Sequence, residues 1–469
     1  MKVVFIGGGA HRYLPVARSL LSEQALLNRQ FKLVLHDLAP ERMALMREMI
    51  VHCPEYAGSG AQIECEAELD RALEGADVVT IVIMPGSRHS FALSCAACGQ
   101  HGFTGTDQLS PSGAFLALKG GPVIMNIARK MEKLCPDACL LDFANPVPVF
   151  SAAVNNHTKI KCFGVCAGYT NHQWDLTRIL GADCGCDDYH ILSAGVNHMS
   201  FILPGSTRGT DDLYRLIDQA LADGWRMPEL SARWSPWMKQ LITNSVTTLV
   251  ELYRKYGYLL FSSEPEGLQY LDMAGRYVAD AAQSAKFDEA KIAEEMKQNN
   301  DQKQRTADYW QSLLNASEFP REVWSREAPE NLDLLRDDQN IMSRIIKAVG
   351  GVKEMAIATS FPNRGAVPGF TGRMVLEYSQ FIKDGQLHAA ENLYIPPVFY
   401  GLMAAMSMHQ TLLGDAVATE DPRLLFDALY SFPVKQDSAD AKALYIKLLK
   451  INAAEIPAVF QQTADWLNR

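Results

Sequence analysis

Two side chains of the metal-binding type stand in apolar runs near the middle of the chain. Cys166 ends the run 160–166, and His198 interrupts the run 190–201. A thiolate and an imidazole can bind one divalent cation jointly and leave coordination places for substrate oxygens. Cysteine and histidine also occur as ordinary core residues. The pattern therefore predicts either a two-ligand metal site that a substrate completes or two buried core positions.

The segment 256–270 carries groups that can move protons, with Glu266 and Tyr270 among its glutamates and tyrosines. Carboxyl and phenol groups act as general acids and bases when they lie beside a reacting bond. From about residue 212 the sequence has the period of long helices, and the charged stretch 285–310 is typical of a helix with a solvated face. These residues predict proton-transfer groups in a mainly helical region.

An element able to hold a nucleotide begins at the N-terminus. The apolar run 2–6 leads into three glycines at 7–9, and a helical pattern starts near residue 15. This order of strand, glycine turn and helix N-terminus brings backbone N–H groups to a pyrophosphate. Arg12 occupies the third glycine position of the dinucleotide fingerprint, so the turn alone also fits a connection without a ligand.

The next strand-like run, 31–37, indicates which dinucleotide is bound. It ends in Asp37, whose carboxylate can accept hydrogen bonds from the ribose hydroxyls of an adenosine. The same carboxylate would repel a 2′-phosphate, which favours NAD over NADP. The predicted cofactor contacts are Gly7, Gly9, Ala10, His11, Asp37 and Pro85.

Two further apolar runs, 77–83 and 138–142, have the composition of parallel strands buried on both faces. Arg88 follows the first run and is either a contact for an anionic or hydroxyl-rich substrate or a surface arginine. Asn145 follows the second run, and a polar, glycine-rich loop at 104–113 lies between them. The alternation of strands and helices predicts a doubly wound parallel sheet whose carboxyl ends face a ligand crevice.

The overall composition narrows the class of partner. The chain has 469 residues and a net charge of −10, which argues against nucleic acid or an anionic membrane as the main partner. No apolar stretch reaches about 18 residues, so we expect no membrane span. We also expect no signal peptide, since the first strand starts almost at Met1. The ten cysteines are scattered, as in a cytoplasmic protein with reduced thiols. We expect a small-molecule substrate and a cytoplasmic location.

Taken together, these residues make the chain resemble the family 4 glycoside hydrolases, which are NAD- and divalent-metal-dependent glycosidases. The resemblance spans nearly the whole chain, and its most specific motif is Ala-Gly-Val-Asn-His-Met at 194–199. The other matching features are the glycines 7–9, Asp37, the loop Asp-Gln-Leu-Ser-Pro-Ser-Gly at 107–113, Asn145-Pro146, Cys166 after Gly-Val, the segment 256–270 and Asn363-Arg364-Gly365.

The resemblance implies roles for individual residues. It implies that Cys166 and His198 hold Mn²⁺ or another divalent metal, and that Tyr270 is the base. It places the loop 107–113 near the nicotinamide and the sugar. Catalytic roles fall to Tyr270, Asp107 and Glu266, and substrate contacts fall to Asn145, Arg88, Asn197 and Arg364.

Three departures from the family pattern bear on the substrate. Ala167 stands where the family has His, Asn or Asp, and Glu266 stands where many relatives carry His. The usual Gly-Pro-Gly-Gly loop is Ser-Pro-Ser-Gly at 110–113. The departures leave the general acid unassigned and indicate a divergent branch, or a sister family such as the NAD-dependent sulfoquinovosidases. A sulfonated sugar or a uronic acid would then meet cations such as Arg12, Arg88 and Arg364.

The implied reaction is glycoside cleavage by a hydride that is borrowed and returned. NAD oxidises C3 of the sugar, a base removes the C2 proton, the aglycone leaves C1 by elimination, water adds, and the hydride returns. Two alternatives stay open. One is a 2-hydroxy-acid type of NAD-dependent dehydrogenase, although we find no His-Gly pair or arginine set arranged as those enzymes require. The other is a non-catalytic NAD-binding sensor.

We therefore predict an α/β protein similar in architecture to the lactate and malate dehydrogenases. Residues 1–195 form an NAD-binding, Rossmann-like domain with a doubly wound parallel sheet. Residues 196–469 form an α+β substrate and metal domain with a helical C-terminal part. Relatives of this kind are usually dimers or tetramers, which implies a homodimer or homotetramer.

Overall fold

The protein is described from a computed structural model. The structure describes residues 1–166, 168–181, 189–230, 232, 234, 236–261, 271, 289–324, 340–383, 385–433 and 438–469. Glu266, Tyr270 and Ala167 lie outside the described residues, so their predicted roles stay predictions.

The N-terminal part is a parallel sheet flanked by helices. Its strands are β1 (Lys2–Ile6), β2 (Lys32–His36), β3 (Gln62–Cys65), β4 (Val78–Ile81), β5 (Cys139–Asp142) and β6 (Lys161–Gly164). Their spatial order is β3-β2-β1-β4-β5-β6, and every pair in this series is parallel. This is the strand order of a dinucleotide-binding, doubly wound fold, as predicted. The central strands β4 and β5 are wholly buried, because helices cover both faces.

The sheet continues beyond β6 as antiparallel strands. The later strands are β7 (Tyr189–His190), β8 (Ser193–Val196), β9 (Met199–Ile202), β10 (Thr207–Arg208), β11 (Asp211–Asp212), β12 (Leu259–Phe261), β13 (Met355–Pro362), β14 (Val375–Lys383) and β15 (Gln386–Ala389). Among the described residues the order from β6 is β13-β14-β8-β9-β12, with β15 beside β14, while β7, β10 and β11 form a small separate sheet.

Helices pack on both faces of the sheet and form the C-terminal part. They are α1 (Tyr13–Leu21), α2 (Gln24–Leu27), α3 (Pro40–Val51), α4 (Leu69–Leu73), α5 (Arg88–Gln100), α6 (Pro111–Leu134), α7 (Val147–His157), α8 (Gly168–Leu180), α9 (Leu213–Ala222), α10 (Pro236–Tyr256), α11 (Glu289–Leu314), α12 (Asn340–Val349), α13 (Tyr400–Thr419), α14 (Pro422–Ser431), α15 (Ser438–Ile451) and α16 (Thr463–Leu467). Short 3₁₀ segments lie at Arg321–Trp324, Pro397–Phe399 and Ala458–Gln462. None of these helices has both the length and the apolar composition that spanning a membrane requires.

One local expectation differs from the structure. The run 190–201, expected as one interrupted strand, contains a hairpin, because β8 and β9 pair with each other on either side of Asn197 and His198. The described part of the charged stretch, 289–310, is helical as expected, and the structure shows which residues lie on the face opposite its solvated one. Ile292 and Trp310 of α11 are each only 1% exposed. One face of this helix therefore belongs to the core.

The predicted fold class is confirmed: a Rossmann-like parallel sheet is joined to an α+β part with a helical C-terminal region. The domain boundary at 195/196 stays a prediction. One sheet contains strands from both sides of that position, since β8 pairs with β14 and β14 pairs with β13, which contacts β6.

Replacing Gly7 tests the packing of the glycine turn. Its φ is +75°, and a Cβ there would overlap the carbonyl oxygen of Val82. We expect Gly7→Ala to lower the free energy of unfolding by about 3 kcal/mol or more, because backbone strain and a steric clash add. Gly58 is the matched control, since its φ is +76° and nothing lies within 4 Å of its virtual Cβ. Gly58→Ala should cost only about 1 kcal/mol in guanidinium denaturation; equal losses would contradict the packing argument.

Candidate functional site

The parallel strands end in register, and this alignment assembles the site. Ile6 pairs with both His36 and Ile81, Ile81 pairs with Asp142, and Asp142 pairs with Gly164. The residues that follow these five strand ends must therefore lie along one edge of the sheet. Ligands of doubly wound folds bind at this carboxyl edge. The predicted residues that follow these strand ends are Gly7, Gly9, Asp37, Pro85, Arg88, Asn145 and Cys166.

The glycine turn is tied to the end of β2 through Asp37. The Gly9 N–H donates to Asp37 Oδ2 at 2.9 Å, and the Ala39 N–H donates to Oδ1 at 2.9 Å. Each carboxylate oxygen keeps acceptor capacity for a further donor such as a ribose hydroxyl. Asp37 thus shapes the turn and remains available to a nucleotide.

The chain passes from the glycine turn directly into helix α1. The helix begins after Arg12, and no side chain caps its first turn. The Tyr13 N–H donates to the Ala10 carbonyl and the Leu14 N–H to the His11 carbonyl, so the first turn is closed by backbone groups. Ala10 and His11 lie between the glycines and this helix start. The glycines of the turn allow the backbone to approach a pyrophosphate closely.

Three side chains form a hydrogen-bonded cluster after β5. The Asn145 Nδ2 donates to Asp107 Oδ2 at 2.6 Å, and the Gln108 Nε2 donates to Asn145 Oδ1 at 2.6 Å. Gln108 is buried, and its Oε1 has no hydrogen-bond partner in the described part of the structure. The structure therefore brings Asp107 and Asn145 together and adds Gln108, which the sequence analysis did not single out. Only its place beside Asp107 in the loop could have pointed to it.

The serines of the loop 107–113 hold its shape. The Ser110 Oγ accepts from the Thr106 N–H at 3.1 Å and from the Gly113 N–H at 3.3 Å, which caps α6. The Ser112 Oγ donates to the Thr106 carbonyl at 2.6 Å. Both hydroxyls are buried. The Ser-Pro-Ser-Gly departure therefore supplies internal hydrogen bonds that fix the backbone beside Asp107.

The two candidate metal ligands meet. The Cys166 Sγ lies 3.5 Å from the His198 Nε2, although the residues are 32 positions apart. His198 has a φ of +65° at the tip of the β8–β9 hairpin, and the Gly168 N–H donates to the Cys166 Sγ at 3.4 Å. Both side chains are partly exposed. Within the described residues no third Cys, His, Asp or Glu joins them. A thiolate and an imidazole with an open side fit a divalent cation that keeps places for substrate.

A buried glutamate supports the hairpin tip. The Asn197 Nδ2 donates to Glu377 Oε2 at 2.7 Å, and Glu377 is 5% exposed. Burial raises the pKa of Glu377, and the Asn197 hydrogen bond and the nearby His198 partly oppose that rise. Asn197 is itself buried, and its Oδ1 has no partner among the described residues. The structure thus places Asn197 between Glu377 and the candidate ligand His198; its predicted contact with substrate stays a prediction.

Arg364 is not brought to this cluster. Its guanidinium lies over the Phe361 ring, 4.9 Å from the centroid, and the backbone N–H of Arg364 donates to the Gly372 carbonyl. The neighbouring Arg373 pairs with Asp415, which also binds His157 at the C-terminal end of α7. Asn145 precedes the N-terminal end of the same helix, so Arg373 and the Asn145 cluster lie at opposite ends of α7. The predicted sugar contact of Arg364 stays a prediction that its position does not support. The side chain of Asn363 holds the same loop through hydrogen bonds with backbone groups of Val367 and Phe370.

The segment that carries Pro85 and Arg88 is held from the far end of the chain. Pro85 is buried, and Arg88 is the exposed first residue of α5. The Glu455 Oε2 accepts from the Ser87 N–H at 3.1 Å and from the Ser90 Oγ at 2.7 Å.

Lys119 completes this contact. Its side chain is 1% exposed and its Nζ lies 3.0 Å from Glu455 Oε2. Burial alone would raise the pKa of Glu455, but the hydrogen bonds from Ser87, Ser90 and Lys119 outweigh it and lower the pKa to about 2. No sequence motif signals this contact, because Glu455 lies more than 300 residues after its partners Ser87, Ser90 and Lys119.

Comparisons with known proteins match this architecture along the whole chain. A sequence model described as "Family 4 glycosyl hydrolase" matches residues 2–182, and one described as "Family 4 glycosyl hydrolase C-terminal domain" matches residues 193–434. The chain is 25% identical to an alpha-galacturonidase from Bacillus subtilis, over 96% of this chain and 97% of that protein. It is 28% identical to a 6-phospho-beta-glucosidase from Escherichia coli, over 46% of this chain and 49% of that protein.

Solved structures show the same fold. A 6-phospho-alpha-glucosidase from gut microorganisms, solved in complex with NAD and Mn²⁺, has a TM-score of 0.78 at 15% identity. The superposition covers 97% of this chain and 99% of that chain.

Glu455→Gln tests whether the C-terminal segment stabilises the Arg88 segment. We expect a loss of about 1–2 kcal/mol at pH 7, since charge-assisted hydrogen bonds from three donors are weakened. The folded-state pKa of Glu455 is depressed, so its contribution is present above its unfolded pKa and is lost as the pH falls through about 2. The exposed Glu420 gives the control variant Glu420→Gln. Chemical denaturation of both variants at pH 7 and at pH 3 measures the free energy of unfolding. If Glu455→Gln lowers it equally at the two pH values, the ion-pair origin is contradicted.

Proposed function

Because the chain belongs to family 4 of the glycosyl hydrolases, we propose that it cleaves the glycosidic bond of an acidic or phosphorylated sugar with the help of NAD and a divalent metal. One observation carries the proposal. The glycine turn, Asn145 and Cys166 each follow a parallel strand, and the carboxyl ends of these strands are in register. His198 lies in contact with Cys166. A cofactor, a sugar and a cation would therefore lie within one crevice.

The residues that would hold the dinucleotide are those at the turn and at the ends of β2 and β4. The glycine turn allows the backbone to approach a pyrophosphate closely, and the Asp37 carboxylate can accept hydrogen bonds from a ribose. When bound, NAD supplies a reversible hydride acceptor, which acidifies the proton next to the oxidised carbon. The proposed contacts are Gly7, Gly9, Ala10, His11, Asp37 and Pro85.

Cys166 and His198 would hold the metal. Mn²⁺ or a related cation supplies Lewis acidity toward sugar oxygens when bound. Glu377 and Asn197 act behind His198: their buried hydrogen bond holds the hairpin tip in which His198 sits. Supporting contacts of this kind orient metal ligands.

The chain's own polar groups orient the sugar and move its protons. Asn145 is held from both sides by Asp107 and Gln108, so its amide is presented in one orientation. Tyr270 takes the C2 proton as base, and Asp107 or Glu266 protonates the leaving oxygen at C1.

The substrate proposed first is an alpha-galacturonide. The alpha-galacturonidase match extends over 96% of this chain, whereas the 6-phospho-beta-glucosidase match extends over 46%. The C6 carboxylate of a galacturonide would need a cation, and Arg88 is exposed at the edge where the sugar would lie. We further propose a cytoplasmic homodimer or homotetramer.

A panel of nitrophenyl glycosides tests the function. Galacturonides, 6-phosphoglycosides, sulfoquinovosides and plain hexosides are assayed with NAD⁺ and Mn²⁺ under reducing conditions. We expect turnover of an anionic member without net NADH, because the hydride returns. Steady accumulation of NADH would instead favour the 2-hydroxy-acid dehydrogenase alternative. NAD binding with no turnover of any member would favour the sensor.

Cys166→Ser tests the metal site. We expect kcat/KM to fall at least about 100-fold and Mn²⁺ affinity to fall with it, because a thiolate ligand is lost. Cys65→Ser is the control, since Cys65 is an exposed free thiol on β3. Equal activity of the two variants would exclude Cys166 as a ligand.

Deuterium incorporation tests the elimination step. With a confirmed substrate in D₂O, removal and return of the C2 proton should place deuterium at C2 of the product. A product without deuterium at C2 would rule out the elimination scheme while leaving glycoside hydrolysis intact.

A further inference from the structure

Helix α11 packs against the nucleotide-binding edge, although its sequence has the pattern of a solvated helix. It contacts α3, which follows β2, and α5, which follows β4. Near its C-terminal end the Trp310 ring packs on the His11 ring, with centroids 4.6 Å apart. Trp310 is 1% exposed. The helix therefore covers the residue that follows the glycine turn.

Lys303 lies on the same face of α11 as Trp310. The two residues are seven positions apart, and at 3.6 residues per turn they differ in direction by only about 20°. Ile292, which is 1% exposed, shares this face. The Lys303 side chain lies at the exposed border of this face and is only partly desolvated there.

Two arginines from the parallel-sheet half come near Lys303. Arg42 lies in the first turn of α3 and donates to the Gly9 carbonyl at 3.3 Å, and Arg88 begins α5. Burial, followed by the charges of Arg88 and Arg42, lowers the pKa of Lys303. Within the described residues none of the three cations forms an ion pair. Three like charges that repel each other without a carboxylate partner are costly unless an anion joins them.

We propose that Lys303, together with Arg42, binds the pyrophosphate of the dinucleotide, so that α11 contributes to the cofactor site from the C-terminal part of the chain. Arg88 keeps its proposed role as the contact of the sugar. This inference rests on the proposed use of NAD. Asp37 does not oppose the anion strongly, because backbone N–H groups of Gly9 and Ala39 bind both of its oxygens. The same cations could instead bind a phosphate or carboxylate on the sugar, because such a group also presents anionic oxygens. The test must therefore separate binding of the cofactor from binding of the sugar.

The test measures ligand binding by calorimetry, without turnover. Wild type, Lys303→Gln and Arg305→Gln are titrated with NAD⁺, ADP, adenosine, glucose 6-phosphate and galacturonate. Arg305 lies on the same helix, is exposed, and points about 200° away from Lys303, so its variant removes one charge from the other face. We expect Lys303→Gln to weaken NAD⁺ and ADP roughly tenfold, with less dependence on salt, because a charge-assisted hydrogen bond is lost. Adenosine binding and the Arg305→Gln variant should be unchanged.

Three results would overturn the inference. If the Lys303→Gln variant binds NAD⁺ and ADP as tightly as the Arg305→Gln variant does, Lys303 is a surface lysine that does not contact the cofactor. If the variant loses affinity for glucose 6-phosphate or galacturonate but keeps its affinity for NAD⁺, the anion is on the sugar. If wild type binds neither NAD⁺ nor ADP, the proposed function fails together with the inference. By contrast, the expected binding pattern without cleavage of any glycoside would support the inference and count against the function alone.

Discussion

The register of the parallel strands is the constraint on which the rest of the site depends. β2, β1, β4, β5 and β6 end level with one another, because each neighbour pairs residue for residue up to its last position. A shift of one residue in any strand would reverse the side chains that face each layer of helices. The same shift would move the residue that follows the strand end by one position along the edge of the sheet. Asp37, Arg88, Asn145 and Cys166 are brought to one edge by this backbone geometry and not by contacts among themselves.

Long-range polar contacts then hold the individual segments in place. Asp37 fixes the glycine turn, and Glu455 fixes the segment of Arg88 together with the buried Lys119. Glu377 holds the hairpin tip of His198 through Asn197. Each of these carboxylates accepts hydrogen bonds from another part of the chain. The site is therefore held in place partly by residues, such as Glu377 and Glu455, that lie behind the predicted ligand contacts.

Charge is distributed unevenly between the chain and its crevice. The protein as a whole is acidic, with a net charge of −10, yet Arg42, Arg88 and Lys303 lie together next to the glycine turn. A local excess of positive charge in an acidic protein is what a small anionic cofactor or substrate requires, while the overall charge disfavours polyanions. The electrostatics thus agree with a dinucleotide and an anionic sugar, and they do not require a macromolecular partner.

Local sequence patterns were sufficient for the parallel half of the fold. Continuous apolar runs that end in glycines, Asp37 or Asn145 identify strands buried on both faces, since strand period and turn chemistry are encoded within a few residues. The pairing of Cys166 with His198 was a hypothesis from residue type, and the structure brings the two side chains together. The hairpin around His198 was not foreseen, because an apolar run interrupted by two polar residues reads equally well as one strand or two.

Only the tertiary structure decided which distant residues meet. Gln108, Glu377 and Glu455 carry no local signal, and their partners are known only once the chain has folded. The sequence grouped Arg364 with the site residues, but the antiparallel course of β13 carries it toward the C-terminal end of α7. Helix α11 shows the same limit: its charge pattern describes one face correctly, while packing against α3 and α5 buries the other. Periodicity reports how many faces of a helix are polar, but it does not report which neighbours those faces meet.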